Sequence, residues 1–501
     1  MKPSSRTSSR REPCAARLGE GFYTRQLPIP VSNPALIRVN HPLAVHLGLD
    51  PHWLESQQGV EFIAGNFIAE GSDPIASVYA GHQFGGWNPQ LGDGRAILLG
   101  EVIAADGLRY DIQLKGSGRT PYSRGGDGRA PLGPVLREYI VSEAMSVLGV
   151  PTSRALGAVT TGEWVMREGR LPGAVLARVA QSHIRIGTFQ FFASRQDHAG
   201  LKTLIEHVIQ RHYPQAAESV SPVRAMLDGV VARQASLVAR WQSLGFIHGV
   251  MNTDNMLLSG ETIDYGPCAF MDEFEPGKVF SSIDRGGRYA FGNQPYIAHW
   301  NLSVLTQALL PFLDDDQDKA LASGQAAIDA FPDLYQAAYN DNMLDKLGLK
   351  RLEAAKGSDD AQLVQDLLKL MHENQTDFTL TFRHLSDLVH PQSASGGGVG
   401  SLFELPETFA PWLARWQHRL SHDPRAAAGR QQAMYAVNPV YIPRNHLVEE
   451  AINAAEKQQD FEPFNTLVDI LAKPFELSHE NGRYAMPPRP EQVVRQTFCG
   501  T

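Results

Sequence analysis

The stretch His248-Gly-Val-Met-Asn-Thr-Asp-Asn-Met-Leu-Leu258, followed after Ser259–Thr262 by Ile263-Asp-Tyr-Gly266, decides the fold. It has the order and spacing of H-x-D-x-x-x-x-N and D-x-G, the catalytic and metal-holding loops of phosphoryl-transfer enzymes. The third position of that pattern is normally the aspartate that accepts the proton of a substrate hydroxyl. Here it is Val250. The metal-holding parts are intact, because Asn255 closes the first loop and Asp264 opens the second. Such a chain is built to hold a nucleotide and a metal, but not to phosphorylate in the usual way.

Working upstream, Lys115 ends a strand-like run, Leu108–Lys115, and Glu138 lies in the helical run Leu132–Gly149. A strand lysine on the phosphates, held by a helix glutamate, is the arrangement of a kinase-like lobe. Taken singly, a solvated lysine and a surface glutamate are the blander reading. The order of glycine loop, lysine, glutamate, H-x-x-x-x-x-x-N and D-x-G carries the weight. The stretch Gly81-His-Gln-Phe-Gly-Gly-Trp-Asn-Pro-Gln-Leu-Gly-Asp-Gly-Arg95 brings Gly92, Gly94 and Arg95 to the start of a strand, where backbone N–H groups approach phosphates closely. No G-x-x-x-x-G-K-[ST] occurs in the chain, which argues against a P-loop fold. Beyond Lys115, the glycine-rich run to Gly133 carries Arg119, Arg124, Asp127, Gly128 and Arg129, a composition suited to gripping phosphate or closing as a lid. Arg178 and Arg185 follow where a kinase has its cleft.

These signals predict an α+β, two-lobed, protein-kinase-like (pseudokinase) fold. The expected divisions are a disordered tail over 1–20, a wrapping segment over 21–70, a β-rich lobe over 71–172, a helical lobe over 173–400, and a helical extension with a regulatory tail over 401–501. Arg95–Val102 and Leu108–Lys115 form a predicted hairpin about Ala104-Ala-Asp-Gly107, and Ser393–Gly400 reads as a flexible loop. At 501 residues and 43% hydrophobic there is ample core. The net charge of -9 gives no support to a nucleic-acid surface, and no apolar run reaches the ~18 residues that cross a bilayer. Neither nucleic acid nor membrane is an expected partner, and the start has no apolar secretion segment, so a cytoplasmic location is expected. Cys14, Cys268 and Cys499 are too few for a disulfide framework.

The stretches Gly81–Arg95, Gln113–Ala130, Ser182–Gln190, His248–Met256 and Ile263–Phe274 resemble the signatures of the selenoprotein O family, called YdiU in bacteria, and the similarity runs over nearly the whole chain. The resemblance implies a kinase-like fold with ATP flipped, so that AMP passes to Ser, Thr or Tyr hydroxyls of proteins; UMP transfer from UTP, favoured by manganese, is implied for bacterial members. It implies nucleotide contacts from Gly92, Gly94, Arg95, Lys115, Asp127, Gly128, Arg178, Arg185 and Asp264, with Glu138 supporting Lys115. Mg2+ or Mn2+ would be held by Asn255 and Asp264, and Asp254 would be the proton acceptor. It also implies a redox-sensitive pairing of Cys268 with Cys499. Two readings compete: a small-molecule phosphotransferase, against which Val250 speaks, and an inactive nucleotide-binding scaffold, which would keep Lys115, Glu138, Asn255 and Asp264 without the chemistry.

Overall fold

The computed structural model describes residues 15–350, 360–389 and 405–498; most of the expected tail and the Ser393–Gly400 loop lie outside them. Its N-terminal region is a nine-stranded antiparallel sheet. The strands are β1 (Tyr23–Arg25), β2 (Ala35–Val39), β3 (Ile75–Gln83), β4 (Gly86–Gly92), β5 (Ala96–Ile103), β6 (Arg109–Lys115), β7 (Ala130–Pro131), β8 (Arg154–Met166) and β9 (Arg170–Ala180). They run in the order β1-β3-β5-β6-β9-β8-β2, with β4 on β3 and β7 on β9. The predicted β5–β6 hairpin is present, closed by a turn in which Gly107 donates to the Ala104 carbonyl at 3.0 Å. β8 is one long strand with a register shift between Thr160 and Trp164 in its pairing with β9. The segment 21–70 supplies both edge strands, and the expected lobe boundary at 172/173 falls inside β9.

Alternation along β9 shows why the sheet is buried on both faces. Val175 and Ala177 join Leu43, Leu54 and Ile63 of the short helices α1 (His41–His46), α2 (Pro51–Glu55) and α3 (Gln57–Ala64). Ala174 and Leu176 face the other way, onto α4 (Leu132–Val147). Helix α4 is buried nearly all round, with Arg137 and Glu138 among its buried residues. The far side is covered by helices from the end of the chain, through Val448, Ile452 and Leu467.

The rest is helical: α5 (Ile186–Ala193), α6 (His198–His212), α7 (Pro222–Leu244), α8 (Gln294–Leu309), α9 (Gln317–Asp329), α10 (Phe331–Lys346), α11 (Asp360–Glu373), α12 (Phe378–Leu388), α13 (Ala410–Ser421), α14 (Ala427–Tyr435), α15 (Asn445–Gln458), α16 (Glu462–Leu471) and α17 (Gly482–Ala485). Helix α7 matters most for the site. Its apolar positions anchor the main helical core, and it stops at Gly245, whose φ of +71° suits a residue without a Cβ. The chain then enters a two-residue strand, β10 (Phe246–Ile247), paired with β11 (Ala269–Phe270), so that residues 248–268 form a loop held at both ends. Among the described residues, no helix is long and apolar enough to cross a membrane.

Candidate active site

Strands and helices from both regions converge on Asp264. Lys115 is the last residue of β6, and Arg178 on β9 lies in register with Gln113, two residues before it and on the same face. Lys115 Nζ bonds Asp264 Oδ1 at 2.9 Å and also pairs with Glu138 Oε2 from α4. Arg178 Nη1 reaches the same two carboxylates, at 2.6 Å from Asp264 and 3.1 Å from Glu138. Arg185, at the N-cap of α5, adds a third cation 3.3 Å from Asp264 Oδ2. Burial alone would raise the Asp264 pKa, but Lys115, Arg178 and Arg185 outweigh it and hold the carboxyl well below its usual range. Asp93, 3.5 Å from Arg185, faces the third cation, and the positive excess that a polyphosphate site needs comes from the wider cleft wall, which carries seven Lys and Arg side chains against four carboxylates.

His248 explains how the two loops stay in step. Fully buried, it donates from Nε2 to the Ile263 carbonyl at 2.9 Å and accepts the Val250 N–H on Nδ1 at 3.3 Å. That pattern defines a neutral ring, and burial lowers its pKa accordingly. Val250 is buried and lines the cleft where a base would otherwise stand. Asp254 is the nearby carboxylate. Burial pushes it up to about 6, opposed by a 3.0 Å bond from Gln83 Nε2 and by the charge of Arg185. Asn255 follows, donating from Nδ2 to the Val250 carbonyl at 3.0 Å.

A cleft of about 700 Å³ opens over this cluster. Its walls contain Gly92, Gly94, Arg95, Lys115, Asp127, Gly128, Arg178, Arg185, Asp254, Asn255 and Asp264, so these residues named from the sequence come together. Glu138 sits behind the wall, against Lys115 and Arg178. At Gly92 and Gly94 a Cβ would lie 2.4 Å from the Tyr122 ring and 2.7 Å from its carbonyl, so both glycines make room for the loop after β6. Gly128 closes that loop's neck: its φ is +70°, and a Cβ there would meet the Gly118 carbonyl at 2.1 Å. Of the loop arginines expected to grip phosphate, Arg119 instead donates to the Gly125 and Gly126 carbonyls, and Arg129 to those of Ile29 and Pro30. Both hold the loop's shape, whereas Arg124 is exposed on the cleft wall.

A family model, protein adenylyltransferase SelO, matches residues 6–472. The chain belongs to the SelO family. It is similar to the protein nucleotidyltransferase YdiU of Rhodopseudomonas palustris (strain BisB5), at 57% identity over 487 residues, covering 97% of this chain and 98% of that one. The protein nucleotidyltransferase YdiU of Methylorubrum extorquens is also 57% identical over 491 residues, with 97% and 98% covered. Membership of the SelO family makes this chain a nucleotidyl-transfer enzyme.

Several cleft residues of this SelO-family chain were not legible from motifs. Asp93 lies 3.5 Å from Arg185 and accepts from Gln113 Nε2 at 3.2 Å; Tyr79 stacks under the Arg185 guanidinium at 4.5 Å. Arg167 grips Asp127 with two bonds, at 2.9 and 3.0 Å. Each is far in sequence from its partner, and only the strand order brings them together. Cys268 is fully buried four residues past Asp264, and its carbonyl accepts from Arg137 Nη1 on α4 at 3.3 Å. Cys14 and Cys499 lie outside the described residues.

Proposed function

We propose that this chain is a two-lobed, kinase-like enzyme that moves AMP from ATP to Ser, Thr or Tyr hydroxyls of proteins, with UTP as a second nucleotide donor. The observation that carries this reading is the pairing of Val250 at the usual base position with a buried carboxylate, Asp254, beside an excess of cations. A hydroxyl attacking the α-phosphorus expels pyrophosphate, a smaller but more highly charged leaving group than the ADP expelled in γ-phosphoryl transfer. Lys115, Arg178 and Arg185 stabilise that charge in a water-poor cleft, and Asp254 takes the hydroxyl proton.

The donor set also fits a divalent metal. Asn255 and Asp264 offer hard oxygen ligands on the cleft wall, and Mg2+ or Mn2+ held by them would supply charge neutralisation for the nucleotide's phosphates. Gly92, Gly94, Arg95, Asp127 and Gly128 would shape the walls around the nucleotide, with Glu138 fixing Lys115. Cys268 and Cys499 would pair to restrain the enzyme: Thr497, two residues before Cys499, donates to the Phe280 carbonyl at 2.8 Å and, through Oγ1, to the Pro267 carbonyl at 2.6 Å, beside Cys268.

Asp254→Asn tests the role of the carboxylate. ATP binding by calorimetry should stay within about threefold of wild type, while pyrophosphate release falls by about 10²–10⁴-fold, the usual share of a general base. Wild-type turnover in the variant would remove Asp254 from the mechanism.

A further inference from the structure

The tip of the β3–β4 hairpin, glycine-rich and readable in sequence as part of a phosphate cradle, leans on the catalytic loop instead. Three successive residues of the hairpin bond three successive residues of that loop. The His82 N–H donates to Thr253 Oγ1 at 2.8 Å, Gln83 Nε2 to Asp254 Oδ2 at 3.0 Å, and the Phe84 N–H to Asn252 Oδ1 at 3.0 Å. The Tyr289 hydroxyl donates to the same Asn252 oxygen at 2.6 Å and accepts from the Phe84 N–H at 3.2 Å. The hairpin's first strand is seated closely on α5, where a Cβ on Gly187 would lie 2.1 Å from the Ala80 carbonyl.

The two oxygens of Asp254 are therefore unequal. Oδ1 is buried with no hydrogen-bond partner among the described residues, and a Cβ on Gly81 would lie 2.8 Å from it. Oδ1 is closed off beneath Gly81, which leaves Oδ2 for the cleft that Asp254 lines. Arg185 bonds the Asp254 backbone carbonyl at 2.8 Å, so Gln83 is the one described side chain that hydrogen-bonds the carboxylate. The χ2 torsion of an aspartate has a broad, shallow profile, and a single neutral donor fixes it without cancelling its charge.

We infer that Gln83 is a positioning residue for Asp254, and that Oδ2, the oxygen it holds, receives the acceptor's proton. This rests on the AMP-transfer reading. The acceptor O–H bond breaks toward Oδ2 as its oxygen bonds the α-phosphorus. The bond from that phosphorus to the bridging oxygen of the β-phosphate breaks, and pyrophosphate leaves with the electron pair. Gly81 keeps the wrong oxygen covered, and Gln83 keeps the right one aimed.

The test uses the full-length reduced protein, ATP labelled on the α-phosphate, and proteins of a soluble bacterial extract as acceptors, with total protein-bound label as the rate. Gln83→Met removes the donor at similar size, and Gly81→Ala intrudes on Oδ1. Each should lower transfer at saturating ATP by about tenfold to a hundredfold, the scale of a lost alignment, with the ATP dissociation constant within about twofold of wild type. In an Asp254→Ala background, adding Gln83→Met should change the residual rate by less than about twofold, because both act through one carboxylate. The inference is overturned if Gln83→Met transfers at the wild-type rate, if it lowers the Asp254→Ala rate by the same factor as in wild type, or if ATP affinity falls in parallel. A fully active Asp254→Ala protein would overturn this inference while leaving AMP transfer standing, whereas wild-type protein that takes no label would sink the AMP-transfer reading itself.

Discussion

Replacing Asp264 with alanine tests the electrostatic balance of the site before any chemistry is measured. Asp264 is the shared anion of Lys115, Arg178 and Arg185, all three at most 9% exposed. Its removal leaves Glu138 alone to face Lys115 and Arg178, and Arg185 with only Asp93 at 3.5 Å. Breaking one buried pair from one side costs about 3–5 kcal/mol, so a loss of that order is expected in urea unfolding of the nucleotide-free protein. The same argument gives a sign that a purely structural effect would not. With its carboxylate gone, the cluster carries more uncompensated positive charge, so ATP without metal should bind Asp264→Ala more tightly than wild type. At a concentration ~100 times its dissociation constant, metal-free ATP should restore about 2.7 kcal/mol. Titrating ATP in the presence of a chelator, and following the unfolding midpoint, measures this directly. Metal-free ATP that stabilises the variant no more than wild type would refute the charge-balance argument. So would an unchanged stability without nucleotide.

Other expectations follow from single contacts. Gly128→Ala should weaken ATP binding and lower the melting temperature, since φ at +70° and a 2.1 Å approach to the Gly118 carbonyl force the loop neck open; calorimetry and a thermal scan check both. Arg444 is fully buried and bonds Asp272 at 2.5 Å and Asp377 at 2.8 Å, so Arg444→Ala should cost about 3–5 kcal/mol in urea unfolding by stranding those carboxylates. Oxidised protein digested without reductant should yield a peptide linking Cys268 to Cys499; its absence would remove the proposed redox restraint.

Much of the site was readable because its order along the chain is distinctive. Lys115, Glu138, Asn255 and Asp264 stand at spacings that chance seldom supplies, and the β5–β6 hairpin announced itself through Ala104-Ala-Asp-Gly107. The glycines were visible, but their purposes were not. Gly92, Gly94 and Gly128 serve loop packing at ångström range, and Gly81 faces a carboxylate 173 positions later, which no local pattern encodes. Arginine composition did not reveal the backbone contacts, since Arg119 bonds carbonyls of its own loop and Arg129 those of Ile29 and Pro30. The helical spacing of Leu132–Gly149 gave the helix but not its cover, because the layer over α4 comes from α15 and α16, about 300 residues away in the chain.

The central claim is that the α-phosphate, not the γ-phosphate, is transferred. Reduced protein incubated with magnesium and acceptor proteins should become, or produce, protein bearing label from α-labelled ATP and none from γ-labelled ATP, with pyrophosphate released in equal amount. Label from the γ-position alone would contradict the account and restore phosphoryl transfer despite Val250.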